Sequence, residues 1–303
     1  MNTKHLICIV GPTAIGKTAL SIKLAQHFKT EIISADSRQF FKEMRIGTAV
    51  PTDEELSGAP HHFIQHISVN DSYSVGTFEK DALQSLNTLY KTHDVVVMVG
   101  GSGLYIDAVT KGLDVFPKIE PSVREDLKKI LELDGLETLQ EQLKQLDPDT
   151  YKTIALDNPQ RVIRALEVCI GANKPYSSFL NKNKYKRPFK TIYIGLTADR
   201  PVVYNRINRR VDIMLEEGLL EEVKTLLPKQ KLNALNTVGY KELFNYFNGD
   251  WTLDFAISEI KKNTRRFAKR QGTWFRKNDA IIWFNFETEL HDIIKTLKNL
   301  IDK

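Results

Sequence analysis

Short apolar runs of strand length recur along the first third of the chain, at residues 6–10, 31–35 and 95–99. Each run ends at a glycine or a polar residue. Between the runs, residues 18–28 and 78–93 carry apolar side chains at the spacing of helices. Strands that alternate with helices are typical of a parallel sheet, so we predict an α/β fold.

The pattern changes after Pro117. Residues 121–170 read as successive helices without a strand, and residues 181–188 form a polar, basic segment of linker character. We therefore predict a helical insertion domain over residues 118–187, inside a core that comprises residues 1–117 and 188–303. After the insertion the pattern predicts a strand at 191–196, helices at 201–227 and 253–274, and a last strand at 281–286.

Polar loops follow the three early strands, at residues 11–18, 36–39 and 100–103. In a parallel sheet the carboxyl ends of the strands lie at one edge, and ligands bind beyond that edge. We therefore expect the three loops to converge on one cleft.

The first loop has the spacing of a phosphate-binding loop: glycine, four residues, glycine, lysine and a hydroxyl residue. Its residues are Gly11, Pro12, Thr13, Ala14, Ile15, Gly16, Lys17 and Thr18. Glycines let backbone N–H groups turn toward an anion, while Lys17 reaches the outer phosphates and Thr18 can bind Mg²⁺. A glycine turn that merely starts a helix is the alternative. The strand before the loop and the helix after it favour phosphate binding and a P-loop NTPase-like parallel sheet flanked by helices.

The loop does not decide whether the ligand is a nucleotide such as ATP. Nucleotide hydrolases usually place an aspartate at the end of a buried strand to help hold Mg²⁺. The strand at 95–99 ends in glycines instead, and Asp94 lies at its other end. Asp36 is the one acid at the carboxyl end of an early strand, so it serves either the metal or another task. An ATP-driven reaction is less favoured but stays open.

The second loop offers a base, a hydroxyl, a cation and an amide in Asp36, Ser37, Arg38 and Gln39. These side chains could form part of a site, or Asp36 or Ser37 could cap the next helix, and the spacing does not decide between the two. In the third loop we interpret the glycines as a strand-to-helix turn, whereas Ser102 could point into the cleft.

Arg206 and Arg210 lie four residues apart in a predicted helix and so share a face. They could form a fork for the oxygens of a diphosphate. Surface ion pairing is the competing interpretation, because four acidic residues follow nearby: Glu216, Glu217, Glu221 and Glu222.

Three histidines, His61, His62 and His66, could suggest a metal site, because positions 62 and 66 would coincide on a helix face. No glutamate or cysteine accompanies them at ligand spacing. Packing or hydrogen bonding is therefore the favoured interpretation.

The net charge of +5 is too small by itself to indicate a nucleic-acid partner. Residues 261–277, however, carry eight basic residues and no carboxylate, interleaved with Phe267, Trp274 and Phe275. Cations interleaved with aromatic rings suit RNA, because the cations contact phosphates while the rings pack beneath or stack on bases. The rings could equally form the buried stripe of the helix, and we interpret Phe267 in that way.

Neither a membrane span nor a secretory signal is evident. No run approaches the ~18 consecutive apolar residues of a membrane helix, and the first residues lack the pattern of a signal peptide. The two cysteines, Cys8 and Cys169, lie in apolar contexts that suit buried reduced thiols. We expect a cytoplasmic protein without membrane association.

Residues 157–161 read as the start of a helix. Gln160, Arg161 and Arg164 would share its exposed side, while Val162 and Ile163 supply apolar contacts. On spacing alone a solvated face is the favoured explanation.

Ordered motifs across nearly the whole chain resemble the tRNA dimethylallyltransferase family, also called isopentenyl-tRNA transferases. They are GPTAIGKT at 11–18, DSRQ at 36–39, RIGTA at 45–49, HH at 61–62, GGSGLY at 100–105, NPQRVIRALEV at 158–168, VGY at 238–240 and TRRFAKRQGTWFR at 264–276. The ordered set is specific, although only the phosphate loop would be informative alone. Phe41, Ser102 and Phe267 are small departures from the family pattern, and the zinc-finger extension of eukaryotic members is missing. A bacterial-type member is implied.

The resemblance implies transfer of a dimethylallyl group from dimethylallyl diphosphate to the exocyclic amine of the adenine just after the anticodon. It implies that residues 13–18 hold the diphosphate, with Mg²⁺ as cofactor, and that Asp36 is the general base. Together with the spacing of Arg206 and Arg210, this leads us to expect Asp36, Lys17, Thr18, Arg206 and Arg210 as the catalytic residues. The residues implied to contact the anticodon stem-loop of tRNA are Asp36, Ser37, Arg38, Gln39, Ser102, Arg124, Gln160, Arg161, Val162, Ile163, Arg164, Arg266 and Arg270. We expect a monomer whose insertion domain also contacts tRNA.

Two other functions compete with this interpretation. A small-molecule or nucleotide kinase would share the loop, the sheet and the helical insertion, but it leaves the basic segment at 261–277 unexplained. A non-catalytic RNA-binding module whose loop senses a ligand would use the basic segment, but it leaves the cluster at residues 36–39 without a purpose.

Overall fold

The computed structural model describes residues 3–180 and 186–302. Within these ranges the strands form a six-stranded parallel sheet in the order β3-β2-β4-β1-β5-β6. The strands are β1 (His5–Val10), β2 (Ile32–Ser34), β3 (His61–His62), β4 (Val95–Val99), β5 (Lys190–Thr197) and β6 (Ile281–Asn285). The predicted α/β class with a parallel sheet is confirmed, and β3 is a strand that the apolar pattern did not reveal.

Helices connect the strands and cover the sheet. Those in the first part of the chain are α1 (Lys17–Phe28), α2 (Asp53–Ser57), α3 (Val75–Leu89), α4 (Gly103–Lys111), α5 (Pro121–Asp134), α6 (Leu136–Leu146), α7 (Pro148–Thr153) and α8 (Pro159–Ala172). Those that follow β5 are α9 (Arg200–Glu216), α10 (Leu219–Leu226), α11 (Tyr240–Phe247), α12 (Leu253–Phe275) and α13 (Leu290–Ile301). In the described ranges, none of these helices has both the length and the apolar character needed to cross a lipid bilayer.

The central strand β1 is buried along its whole length. On one face of the sheet Ile7 packs in a cluster with Leu24 of α1, and on the other face Leu6 packs in a cluster with Phe78 of α3. Successive side chains of a strand point to opposite faces, so a strand covered on both sides reads as a continuous apolar run. This double cover explains why β1 and β4 were recognisable from the sequence.

The segment predicted as helical at 201–227 is divided in the structure. Helix α9 ends at Glu216 and helix α10 begins at Leu219. Gly218 lies between them with φ at 102°, a left-handed conformation that interrupts a helix and that glycine adopts readily.

The chain divides into two compact units, one comprising Met1–Thr110 and Arg187–Lys303 and the other comprising Lys111–Lys186. The second unit is helical, and its core contains leucines from α5, α6 and α8: Leu127, Leu139, Leu143 and Leu166. Part of the predicted linker at 181–188, residues 181–185, lies outside the described residues.

Candidate functional site

The phosphate loop joins β1 to α1 through two glycines in the left-handed region. Gly11 has φ at 139° and Gly16, the residue that precedes α1, has φ at 108°. A Cβ atom at Gly11 would also lie 2.6 Å from the carbonyl oxygen of Leu196 in β5. Both the backbone conformation and the close approach of β5 therefore require glycine at position 11.

Two cations contact the carbonyl oxygens of this loop. The Lys17 Nζ donates to the Pro12 oxygen at 2.8 Å, and the Arg206 Nε donates to the Ala14 oxygen at 2.7 Å. The pKa of Lys17 is lowered to about 8, chiefly by burial; the charge of Asp36 opposes this shift and the charge of Arg210 adds to it. Lys17 and Arg206 thus bond to the phosphate loop itself, and Arg210 lines the same cavity as that loop.

Asp36 lies two residues after the end of β2 and begins a turn, in which its backbone oxygen accepts the Gln39 N–H at 3.1 Å. Its Oδ1 accepts the Arg38 N–H at 3.2 Å, and the next helix, α2, does not begin until Asp53. The alternative that Asp36 or Ser37 caps a following helix is therefore wrong. Burial raises the pKa of Asp36, whereas the Arg38 N–H and the charges of Lys17, Arg38 and Arg210 counteract that shift.

The other members of the second loop hold neighbouring segments in place. Arg38 Nη1 donates to the Ala234 oxygen at 2.9 Å, and Gln39 Nε2 donates to the oxygens of Thr48 and Ala49 at 3.1 and 2.7 Å. The hydroxyl groups of Ser37 and Ser102 form a hydrogen bond at 3.1 Å. Ser102 therefore ties the third loop to the second.

Two large cavities open at the carboxyl edge of the sheet within the described residues, with volumes of about 930 and 710 Å³. The phosphate loop lines the first cavity, and the third loop and helix α12 line the second. The residues that line both cavities are Thr13, Asp36, Thr48, Ala49, Arg210 and Met214. The predicted convergence of the three loops is confirmed, and Asp36 lies where the two cavities meet.

The first cavity is rich in cationic side chains, namely Lys17, Arg45, Arg206, Arg209 and Arg210. Burial and the neighbouring charge of Arg206 lower the pKa of Arg210. Among the described residues, neither Arg206 nor Arg210 forms an ion pair with the glutamates at 216–222. The competing interpretation as surface ion pairing is wrong for these two arginines, because the fold turns them toward the phosphate loop.

Glu222 has a different partner. Its carboxylate accepts the backbone N–H groups of Arg45, Ile46 and Gly47 at 2.7 to 2.9 Å, and also the Tyr240 hydroxyl at 2.6 Å. The segment that contains Thr48 and Ala49, the wall shared by both cavities, is therefore held by Glu222 and Gln39. The sequence gives no local signal for this contact, because the partners come from distant segments.

The second cavity has an aromatic wall. Tyr105, Phe267 and Trp274 line it, together with the polar side chains of Ser102 and Asn263. Phe267 and Trp274 are 40% and 39% exposed, so the interpretation of Phe267 as part of a buried stripe is wrong. Only Phe275 of the three aromatic residues in the basic segment is buried.

The basic segment of α12 is partly neutralised within the protein. Lys261 pairs with Asp212 at 2.5 Å, Lys262 pairs with Glu259, and Arg265 donates to Asn208 at 2.7 Å. Arg266 and Arg270 are exposed instead, and the guanidinium of Arg270 lies 5.7 Å from the Phe267 ring. Lys269, Arg276 and Lys277 are exposed as well, so five cations of the segment are accessible to an external anion.

The predicted RNA contacts at 124 and 160–164 lie in the second unit. Arg124 and Arg164 both donate to Glu167, at 2.9 and 3.1 Å, and Gln160 and Arg161 are exposed. Val162 and Ile163 have no exposed surface and pack in the core of this unit. The prediction that Val162 and Ile163 contact tRNA is therefore wrong, because both lie on the inner face of α8.

The three histidines do not share a helix face, because His61 and His62 form strand β3. His61 faces the Ala59 oxygen at 2.7 Å, and His62 faces the Glu31 carboxylate at 2.7 Å. His66 packs edge-on against aromatic rings, with the Phe40 ring centre 5.4 Å away. In the described part of the chain, no group of three or more acidic, histidine or cysteine side chains could hold a metal ion.

Comparison with known families gives a match along most of the chain. A family model described as IPP transferase matches residues 39–278. A protein of Christiangramia forsetii named tRNA dimethylallyltransferase is 61% identical over 300 residues, which cover 99% of this chain and 99% of that protein. A protein of the same name from Flavobacterium johnsoniae is 59% identical over 308 residues, which cover 98% of this chain and 100% of that protein.

Two solved structures resemble the fold as a whole. The full-length tRNA isopentenylpyrophosphate transferase of Bacillus halodurans is 37% identical with a TM-score of 0.73, and the match covers 99% of this chain and 96% of that one. A eukaryotic dimethylallyltransferase, described as acting on tRNA, is 28% identical with a TM-score of 0.79, and the match covers 94% and 74% of the two chains.

Proposed function

This chain belongs to the IPP transferase family, and from that premise we propose that it transfers a dimethylallyl group from dimethylallyl diphosphate to tRNA. The acceptor is the N6 amine of the adenosine on the 3′ side of the anticodon. The protein is an enzyme, a tRNA-modifying prenyltransferase. The observation that supports the proposal best is the position of Asp36, which lines both a cationic cavity and an aromatic one.

The cationic cavity suits the diphosphate of the donor. The adenine amine is a weak nucleophile because its lone pair is delocalised into the ring, so departure of the diphosphate must make the donor carbon strongly electrophilic. As the C–O bond breaks, negative charge grows on the leaving diphosphate. Lys17, Arg206 and Arg210 lie around the loop where that charge would develop, and fixed cations there stabilise it.

The aromatic cavity suits the acceptor base. An adenine in a single-stranded loop leaves its stack at a cost of only a few kcal/mol, and an aromatic wall can stack on the extruded ring. As the new C–N bond forms, the amine must lose a proton. Asp36, at the junction of the cavities, would accept that proton and later release it to water.

Magnesium is part of the proposal, and the residues present fit it. Thr18 lines the first cavity, and its hydroxyl is the oxygen ligand that such a loop offers to Mg²⁺. Mg²⁺ usually takes few protein ligands and completes its shell with substrate phosphates and water, so the diphosphate would supply the remainder. Bound there, the ion would neutralise part of the charge on the leaving group.

The transfer assay decides between this function and its rivals. Incubation with labelled dimethylallyl diphosphate, Mg²⁺ and tRNA should place the label in tRNA, and mass analysis of the nucleosides should identify N6-dimethylallyladenosine. A parallel incubation with ATP and candidate small acceptors tests for a kinase. Tight tRNA binding without any transfer would instead favour the non-catalytic RNA-binding module.

The exposed arginines of α12 are expected to contribute to tRNA affinity through its phosphates. The Arg266→Ala, Arg270→Ala double variant should weaken tRNA binding and reduce the slope of log K against log salt by about one to two, because each phosphate contact releases about one counterion. Binding titrations at several salt concentrations measure this slope. Lys261→Ala is the matched control, since Lys261 already pairs with Asp212. An unchanged slope in the double variant would assign α12 a structural role only.

The second unit is proposed as a further tRNA contact through Arg124, Gln160, Arg161 and Arg164. We also propose that the protein acts as a monomer in the cytoplasm, where its tRNA substrate is found. These assignments stay predictions.

A further inference from the structure

Gln271, a buried residue of α12, binds two of the site loops with one side chain. Its Oε1 accepts the backbone N–H of Thr13 at 2.8 Å, and its Nε2 donates to the backbone oxygen of Gly101 at 3.0 Å. Only 5% of its surface is exposed. Both ends of the amide are therefore used, one on the phosphate loop and one on the loop that follows β4.

The contact with the third loop depends on a glycine. A Cβ atom at Gly101 would lie 2.2 Å from the Gln271 Nε2 and 3.9 Å from an Asp36 carboxylate oxygen. The amide of Gln271 and the carboxylate of Asp36 therefore both lie near Gly101. Thr13, its other partner, lines both cavities, as Asp36 does.

The helix that carries Gln271 also carries Phe267, Arg270 and Trp274, which line the second cavity. Arg270 and Trp274 line that cavity, at the positions next to and three residues beyond Gln271. Trp274 itself packs on the third loop, since a Cβ atom at Gly103 would lie 2.3 Å from its ring. Helix α12 therefore presents side chains to the cavity proposed for the RNA base and also bonds to the loop proposed to hold the diphosphate.

We propose that Gln271 is a positioning residue for the transfer reaction. It holds the phosphate loop and the third loop at a fixed distance from each other, on either side of the point where the two cavities meet. The inference rests on the proposed function. Gln271 acts through Thr13 and Gly101 and need not contact either substrate. Misplacement of reacting groups by about 1 Å can lower a rate by as much as 10²-fold, so loss of this connection should be visible in turnover.

The test compares Gln271→Met, which keeps the length of the side chain and removes both hydrogen bonds, with the wild-type protein. We expect kcat to fall by about 10-fold or more and the affinity for inorganic pyrophosphate to weaken several-fold, because the loop that holds the anion loses an anchor. Affinity for tRNA should stay within about twofold, since the exposed side chains of α12 are unchanged. Gln140→Met is the matched control, because it removes a similar hydrogen bond, from Gln140 Nε2 to the Leu156 oxygen, in the second unit.

A second variant covers the case in which Gln271→Met does not fold. Gln271→Glu keeps the acceptor for the Thr13 N–H, but its carboxylate faces the Gly101 oxygen when ionised and can donate to it when protonated. The activity of this variant relative to wild type should therefore rise as the pH falls.

Several results would overturn the inference. The first is that Gln271→Met has the same kcat and pyrophosphate affinity as Gln140→Met. The second is that Gln271→Met loses affinity for tRNA and nothing else. The third is that the activity of Gln271→Glu relative to wild type does not change with pH. If the wild-type protein transferred no dimethylallyl group, the proposed function would fail, while the pyrophosphate affinities would still decide whether Gln271 anchors the loop.

Discussion

Replacement of Asp36 by alanine is expected to lower kcat by about 10²-fold or more, the contribution typical of a general base. Among the described residues that line both cavities, Asp36 is the one acidic residue. No other carboxylate on the shared wall can therefore take its place. The affinity for tRNA should be retained, because the exposed arginines of α12 are untouched. Single-turnover transfer rates and tRNA binding titrations measure the two quantities separately.

Two further variants control for the shape of the Asp36 side chain and for the loss of a surface carboxylate elsewhere. Asp36→Asn keeps the shape of the side chain and the acceptor for the Arg38 N–H but cannot take a proton at neutral pH, so it should be nearly as slow as Asp36→Ala. Asp279→Ala removes an exposed aspartate that lines neither cavity and should leave turnover unchanged. Near-normal turnover in Asp36→Asn would rule out the assignment of Asp36 as the base.

The pH dependence of the wild-type protein offers an independent check on Asp36. A base must be ionised to act, and burial raises the pKa of Asp36 above its ordinary value. The rate should therefore decline as pH falls through this raised pKa, at a higher pH than an exposed aspartate would give. The Asp36→Asn variant should lack this acid limb.

Replacement of Lys17 by alanine is expected to raise the KM for dimethylallyl diphosphate and to lower kcat/KM for this donor by about 10²-fold or more, since one fixed donor to a developing charge is worth that much. Lys17 is half-buried beside the phosphate loop, where its charge is less screened than on the open surface and acts on a bound anion. The affinity for tRNA should change little. Steady-state kinetics with donor and tRNA varied in turn measure both effects.

A lysine on the same helix supplies the control. Lys23 of α1 is exposed and lines neither cavity, so Lys23→Ala should leave donor kinetics unchanged. The pKa of Lys17, lowered to about 8, adds a pH signature. Lys17 loses its charge as the pH rises through this value, so kcat/KM for the donor should fall on the alkaline side and Lys17→Ala should lack that limb. A Lys17→Ala variant that weakened tRNA binding but not donor use would remove the loop from donor binding.

The main elements of the fold were predictable because they are locally encoded. β1 and β4 read as strands because both of their faces are covered, which makes every residue except His5 apolar. The phosphate loop was predictable for a related reason, since its glycines and its lysine serve a single continuous turn. Strand β3 was missed because a two-residue strand that contains only histidines has no apolar pattern to read.

Where a side chain could have served either of two roles, the sequence did not show which role it has. Val162 and Ile163 belong to a motif that suggests RNA contact, yet the packing of α8 buries both. Phe267 has the spacing of a core residue but lines a cavity, because α12 turns it toward the third loop and away from the sheet. In each case the face that a helix presents depends on its neighbours, which the spacing within one helix does not identify.

The sequence by itself determined the strand, loop and helix that bind phosphate, the acid that follows β2 and the order of motifs that places the chain in its family. Only the tertiary structure decided that Asp36 lies between two cavities and that Gln271 reaches Thr13 across 258 positions of the chain. The physical reason is that backbone conformation and hydrophobic period are set by neighbours in the chain, whereas the meeting of distant side chains is set by how whole helices pack on the sheet.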